Sequence, residues 1–452
     1  MTSEHNPIAE LIHQIQMKWI REVSGRDELK LVRWLIKPEE ARLYEGFLKL
    51  ESTEHGSIPE VLVAMLAPFE DKESYSIDLM SDWIKAYKED AKTHEKLKAK
   101  DKTINWDNSS FLTGGAGPAE CNHGQLLTML SSFRLAATDN KVPLVVALFP
   151  HSISDMEDFR MWLIDLVKTE IPVGISFLIF DHVGQNYFQG VFKKFPEITK
   201  SLHLNLDLDG AIGKIAKMGN PNSPEVKLRE CILEMGKCVQ NKDRGGLDKW
   251  GEKALQVTQR SNSKSMYASA HIIYAGMLFN FKAFEQLDTL LSNGLTIVNQ
   301  GLKSEPEACI ALIIQYYGFL AASKQHQKRL KEAIPLYEKQ GDTAVTYQMA
   351  GMSLTPYQQA YTLSKKYLPE RYEELLKKAY NVGKQMHKDE QKNSSFPSIA
   401  LDYLEFLESR KHHEATVTSD ELNSLFGAGW KTQAKKPGSA FNTDTQKTII
   451  LT

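Results

Sequence analysis

The sequence predicts an α/β N-terminal domain with a mostly parallel sheet covered by helices, followed by an all-α helical-repeat domain and a flexible C-terminal tail. Three observations predict it. Apolar, strand-like runs alternate with amphipathic helical stretches over 29–217. Helical periodicity then continues without strands over 224–410. After Leu407 the periodicity gives way to polar sequence mixed with glycine, lysine and proline, which cannot bury enough apolar area to offset its ordering entropy. A chain of 452 residues leaves room for three domains, and 42% hydrophobic against 25% charged residues is a globular balance, so each can bury a core. The expected boundaries are 1–218, 224–410 and 411–452.

The elements follow in order. Over 6–22, Ile8, Leu11, Ile12, Ile15 and Trp19 share one helical face, and Ser24-Gly25 ends that helix. LKLVRWLI (29–36) reads as a strand, and Pro38 opens the next helix at its favoured first turn. EVLVAMLAPF (60–69) is a second strand, and 74–100 a long, charged helix. An irregular stretch (101–121) precedes the helix GQLLTMLSSFRLAA. VPLVVALFP (142–150), helix 155–170, GISFLIFD (174–181), helix 185–195 and ITKSLHLNLDL (198–208) complete the alternation. Strands apolar throughout are covered on both faces, which implies a parallel sheet with 142–150 and 174–181 at its centre.

Pro221-Asn222-Ser223-Pro224 separates the halves. Beyond it, small and large residues fall where paired helices touch: Ala270, Gly276, Phe279 and Phe284, then Gly318, Ala321, Ala333 and Tyr337. KEAIPLYE (331–338) resembles the second helix of a tetratricopeptide repeat, a likeness extending over 240–380. The chain departs from that family's roughly 34-residue period, with insertions near 325–328. An irregular helical bundle is the alternative, and either gives an all-helical platform.

The strand order of the first half resembles the core of P-loop ATPases of the AAA or STAND type. That resemblance implies a phosphate loop after the first strand, an acidic pair on magnesium and a polar sensor on a later strand. The chain departs at each motif. Ile36-Lys37-Pro38-Glu39-Glu40 follows the first strand, Phe149-Pro150-His151 stands where the acidic pair belongs, and G-x-x-x-x-G-K-[ST] is absent. Without those glycines and that lysine, the backbone cannot cradle a phosphate or offset its charge. The domain therefore reads as degenerate, a pseudo-ATPase. If a nucleotide were bound, it would lie near Lys37, Gly114, Gly115, Gly117 and Asp181. The Gly-Gly-x-Gly turn at 114–117 precedes a helix, where an anion can bind. It follows no strong strand and lacks a Lys-Thr, so it reads as a surface loop.

Other chemistry is sparse. Asp181-His182 ends a strand, where α/β enzymes place catalytic groups. Asp207 and Asp209 lack the further oxygen ligands of a calcium loop, and Asp209-Gly210 reads as a helix start. Cys121-Asn122-His123 are sequence neighbours only. The four cysteines (Cys121, Cys231, Cys238, Cys309) form no C-x-x-C pair and read as reduced, buried thiols. A net charge of −2, from 55 basic and 57 acidic residues, gives no whole-chain footprint for nucleic acid or membrane. Neither a signal peptide nor a run of membrane-spanning length is read, so a cytoplasmic protein is expected.

In the tail, Ser419 reads as an N-cap and Gly427 as a stop, with Leu422, Leu425 and Phe426 on one face and Trp430 beyond. These four are the expected partner-binding residues of a short docking helix; packing back onto the chain's own domain is the alternative. Thr448–Thr452 is β-prone and suited to a sheet edge. Together these readings point to a non-enzymatic adaptor that binds protein partners through its helical repeats and tail, with no catalytic residue, metal or cofactor. A divergent STAND-type switch and a hydrolase with an unrecognised site are the rivals.

Overall fold

The computed structural model describes residues 6–53, 55–89, 104–111, 119–138, 142–427 and 429–434. The chain divides into two compact units between Ile212 and Gly213. The Gly114–Gly117 turn and Thr448–Thr452 lie outside the described residues.

Among the described residues the first unit carries five strands: β1 (Leu31–Ile36), β2 (Val61–Met65), β3 (Leu144–Leu148), β4 (Ile175–His182) and β5 (Thr199–His203). They form one sheet in the order β2-β3-β4-β1-β5, and every pairing is parallel. The two runs expected at the centre, β3 and β4, are interior strands. Helices α1 (Pro7–Glu22) and α2 (Ala41–Glu51) cover one face, which receives Val32, Trp34, Leu62, Ala64, Val145, Ala147 and Leu178. The other face is covered by α3 (Tyr75–Glu89), α4 (Ala119–Ala137), α5 (Met156–Lys168) and α6 (Gln189–Lys194), with Leu31, Val63, Val146, Phe177 and Ile179 beneath them. Period-2 alternation thus feeds two apolar layers from the same strands.

Two expected elements differ. The strand expected over 198–208 stops at His203, and α7 (Leu208–Ala216) begins soon after. Its first turn is capped by Asp207, whose Oδ1 accepts the Gly210 N–H at 2.9 Å, and not by Asp209. The strand expected over 60–69 ends at Met65, leaving Phe69 in an isolated bridge to Ile153.

The second unit is a succession of antiparallel helix pairs: α8 (Pro224–Gln240) with α9 (Arg244–Gln259), α10 (Lys264–Leu278) with α11 (Phe284–Gly301), α12 (Pro306–His326) with α13 (Leu330–Thr346), and α14 (Leu354–Tyr367) with α15 (Pro369–Gln385). A short α16 (Lys388–Lys392) leads to α17 (Phe396–Ser409) and α18 (Ala415–Phe426), and α19 (Trp430–Ala434) follows. One joint recurs between consecutive pairs. A glycine on the second helix of a pair lies under an aromatic ring from the first helix of the next: Gly251 under Tyr274, Gly294 under Tyr316, Gly341 under Tyr357, Gly383 under Phe396. The interval exceeds the tetratricopeptide period because these helices are longer. No helix among the described residues is long and apolar enough to cross a membrane.

The tail helix corrects the sequence reading. It starts at Ala415, so Ser419 lies inside it, although Gly427 (φ 86°) does end it. Leu422 is 2% exposed and Trp430 1% exposed, both within the core of the second unit. The Phe426 ring packs on Trp430 and Phe396, centroids 5.1 and 6.0 Å away. The face built from Leu422, Leu425, Phe426 and Trp430 is therefore covered in cis.

Candidate functional site

Open α/β sheets bind ligands at the carboxyl ends of strands, where the chain direction through the sheet reverses. Here that point lies between β1 and β4, whose following helices cover opposite faces. Leu35 pairs with Asp181 and Ile36 with His182, which brings Lys37, Asp181 and His182 to adjacent strand ends.

Lys37 and Pro38 lead into a short 3-10 turn (Pro38–Glu40) that opens α2. The Lys37 N–H donates to Glu40 Oε2 at 2.9 Å, and the Glu40 N–H donates to the Lys37 carbonyl at 3.0 Å. Glu40 is 1% exposed. Pro38 has no N–H to offer. The N-terminus of a helix attracts an anion because its first N–H groups are unpaired and its dipole end is positive. In this chain an internal carboxylate takes that place, and a phosphate would meet its negative charge. Beside it, the Ile36 carbonyl accepts the Val183 N–H at 3.0 Å.

Asp181 is engaged from every side. Its carboxylate accepts from Arg33 Nη1 at 2.9 Å and from the backbone N–H groups of His182, Tyr187 and Phe188 at 2.9, 3.1 and 3.2 Å. Arg33 also donates to Ser201 Oγ through Nε and Nη2 and to Gln189 Oε1 at 2.7 Å, and its guanidinium lies over the Phe192 ring. Desolvation lowers the Arg33 pKa despite the pairing with Asp181. This cluster anchors the loop from β4 to α6, and Asp181 has no lone pair directed at a substrate.

Past β3, at the position of the expected acidic pair, the Phe149 ring packs on Phe180 at 5.5 Å, Phe180 on Tyr44 at 5.9 Å, and Tyr44 on Trp34 at 5.3 Å. Within this layer Trp34 Nε1, Tyr44 Oη and His182 Nδ1 are buried without a protein partner among the described residues. Burial, then the Glu40 charge, raises the Tyr44 pKa, so its hydroxyl stays protonated.

A buried serine–histidine contact escaped sequence reasoning. Ser76 Oγ lies 3.0 Å from His123 Nδ1 and accepts the Trp162 indole N–H at 3.1 Å. Ser76 and His123 are 1% and 2% exposed, so the contact ties α3, α4 and α5 together inside the core. Its partners are 47 residues apart in the chain, and no local pattern marks them. Asn122 donates to the Glu73 carbonyl at 3.0 Å. Among the described residues, His412, His413 and Glu414 hold ligand atoms within 4.8 Å of one another. All three are exposed on one loop, and His412 Nδ1 already accepts the Glu414 N–H at 3.3 Å, so the loop builds no enclosed coordination shell.

No family model matches the chain, and no curated protein matches it in sequence. Among solved structures, it is similar to BtubC (BKLC) from P. vanneervenii, with 11% identity over 44% of this chain and 78% of that one, at a TM-score of 0.32. It is also similar to a Signal Transduction ATPase with Numerous Domains protein with a tetratricopeptide repeat sensor, PH0952 from Pyrococcus horikoshii, with 10% identity over 90% of this chain and 76% of that one, at a TM-score of 0.26. Scores of this size describe a loose likeness of arrangement.

Proposed function

We propose that the chain is a non-enzymatic adaptor: a catalytically inert α/β unit joined to a platform of helix pairs that holds a protein partner, working in the cytoplasm. One observation carries the reading. Glu40 caps the helix that follows β1, so the Lys37 and Glu40 N–H groups at that strand end are used internally and a carboxylate stands beside them. Asp181, the other candidate at that point, is consumed by Arg33 and three backbone donors. Calorimetric titration with ATP or GTP and magnesium should give no binding heat. A micromolar dissociation constant would overturn the reading.

A second reading, a divergent nucleotide-dependent switch, has its own support. Trp34 Nε1, Tyr44 Oη and His182 Nδ1 are orphaned on the layer beside β1 and β4, and an orphaned buried polar group costs about 1–3 kcal/mol unless a guest satisfies it. Lys37 stands at the same strand ends with no ion-pair partner among the described residues. The same titration decides between the two.

A further inference from the structure

An edge strand turns half of its backbone N–H and C=O groups away from its sheet. Among the described residues the edge strands are β2 and β5, and their outward groups meet different surroundings. On β2 the Val61 N–H donates to the Pro143 carbonyl and the Met65 carbonyl accepts the Phe149 N–H, both at 2.9 Å. Those residues face β3, so Leu62 and Ala64 turn their backbone groups outward. Both residues, backbone included, are buried, at 0% and 2% exposed. That edge is closed. On β5 the Ile198 carbonyl accepts the Leu31 N–H at 3.2 Å. In a parallel ladder this turns Ile198, Lys200 and Leu202 toward β1 and leaves Thr199, Ser201 and His203 facing out. Ser201 and His203 are exposed, and no backbone group among the described residues pairs with their outward side.

The usual guards of an open edge are missing there. β5 holds no proline, and its register with β1 runs without a bulge. Lys200 is drawn onto α1 by an ion pair with Glu22 at 3.5 Å. The His203 ring folds back to β1, its Nδ1 3.1 Å from the Leu35 carbonyl. A flat edge of this kind accepts a further strand.

The chain carries a strand that fits. Beyond Ala434, residues 435–447 are mostly polar and include Pro437 and Gly438. Fully extended, such a tether reaches roughly 45 Å. Thr448-Ile449-Ile450-Leu451-Thr452 follows, uncharged and β-branched at every position except Leu451. Its alternation matches the two faces of β5. Leu202 is buried in the layer under α1 and α2. Ser201 lies on the opposite face, where its Oγ accepts from Arg33. With Ile449 and Leu451 on the Leu202 face, Thr448 and Thr452 fall on the polar one.

We propose that Thr448–Thr452 adds to β5 of its own chain as a sixth strand and closes the open edge of the sheet. The proposal stands independently of the adaptor reading. Amide hydrogen exchange of the full chain, resolved to single residues by mass spectrometry, tests it. The Ser201 and His203 N–H groups should be protected in the wild type. The variant I450P/L451P removes the N–H groups of two adjacent residues, one of which faces β5 in either register, because proline cannot donate to a ladder. Exchange at Ser201 and His203 should then quicken about tenfold or more. Lys200 and Leu202, bonded to β1, should hold their rates. I450V/L451V should keep the wild-type pattern. Fast exchange at Ser201 and His203 in the wild type overturns the proposal, and so does protection that survives the prolines. Protection that grows with protein concentration would assign the edge to a second copy and overturn it too. A rise at all four amides together would mark general loosening and count equally against it.

Discussion

Gly251→Ala should destabilise the protein, although alanine is the better helix former. In an open helix interior the exchange gains roughly 0.5–1 kcal/mol. At Gly251 the new Cβ would stand 2.6 Å from three carbons of the Tyr274 ring, well inside van der Waals contact. The ring is pinned at its far end. Its hydroxyl donates to Asp248 Oδ1 at 2.5 Å and accepts from Gln286 Nε2 at 2.8 Å. Burial works to raise the Asp248 pKa, but hydrogen bonds from Arg244 and Tyr274 outweigh it and keep the carboxylate charged as the anchor. Overpacking of this kind costs about 1–3 kcal/mol, so a net loss of up to about 2.5 kcal/mol, about 1 kcal/mol at mid-range, follows. Gly236, on α8, is the control, because a Cβ there meets nothing within 4 Å; Gly236→Ala should gain roughly 0.5–1 kcal/mol. Urea denaturation of the full chain reads both as opposite shifts in midpoint at constant slope. If both variants shift the same way, the reasoning about the joint is refuted.

Three further outcomes are expected. Asp181→Ala should cost about 3–5 kcal/mol because it leaves the Arg33 charge buried and uncompensated; the double change R33M/D181L should recover much of that loss, and simple additivity in denaturant titrations would count against the pair. Leu422→Ala should cost about 2–5 kcal/mol by emptying a core site, and an unchanged melting temperature would return the tail helix to a docking role. Glu305 accepts from the Ser265 and Ser263 hydroxyls and from the Lys264 and Ser265 N–H groups at the start of α10, and these bonds, the Ser265 hydroxyl foremost, hold its pKa below the usual glutamate value against burial. A lowered folded pKa means stability present above the unfolded value and lost as pH falls through the folded one. Glu305→Gln should therefore cost roughly 0.3–1 kcal/mol at pH 7, and the gap to wild type should close at acid pH; a gap that persists there would show that the charge is not its source.

The strands read from sequence were legible where apolar residues ran without interruption, as in β3 and β4. The pattern misled at Leu204, Leu206 and Leu208. Their alternation continues past β5, and all three do pack in the layer shared with α1 and α2. The signal reported burial truly, but the backbone had already turned toward the Asp207 cap. The tail helix shows a different limit. Its apolar face was visible at Leu422, Leu425 and Phe426, yet periodicity says only that a face is covered, not by what. The Gly251–Tyr274 joint was hidden because its two halves lie on different helices with no fixed spacing. The Lys37–Glu40 cap could have been found, since a glutamate at the third helical position is a known sign of a closed N-terminus.

The recurring joint also says how such an array changes length. Each joint takes its glycine from one pair and its ring from the next, so no pair is complete by itself and each pair after the first carries half of two couplings. Inserting or deleting one whole pair leaves a glycine facing a ring at the new seam, with the remaining seams untouched. Stability then accumulates by neighbour-to-neighbour terms. A family built on this chain's second unit can therefore vary in reach by whole pairs, whereas a change that splits a pair would strand a ring over a Cβ.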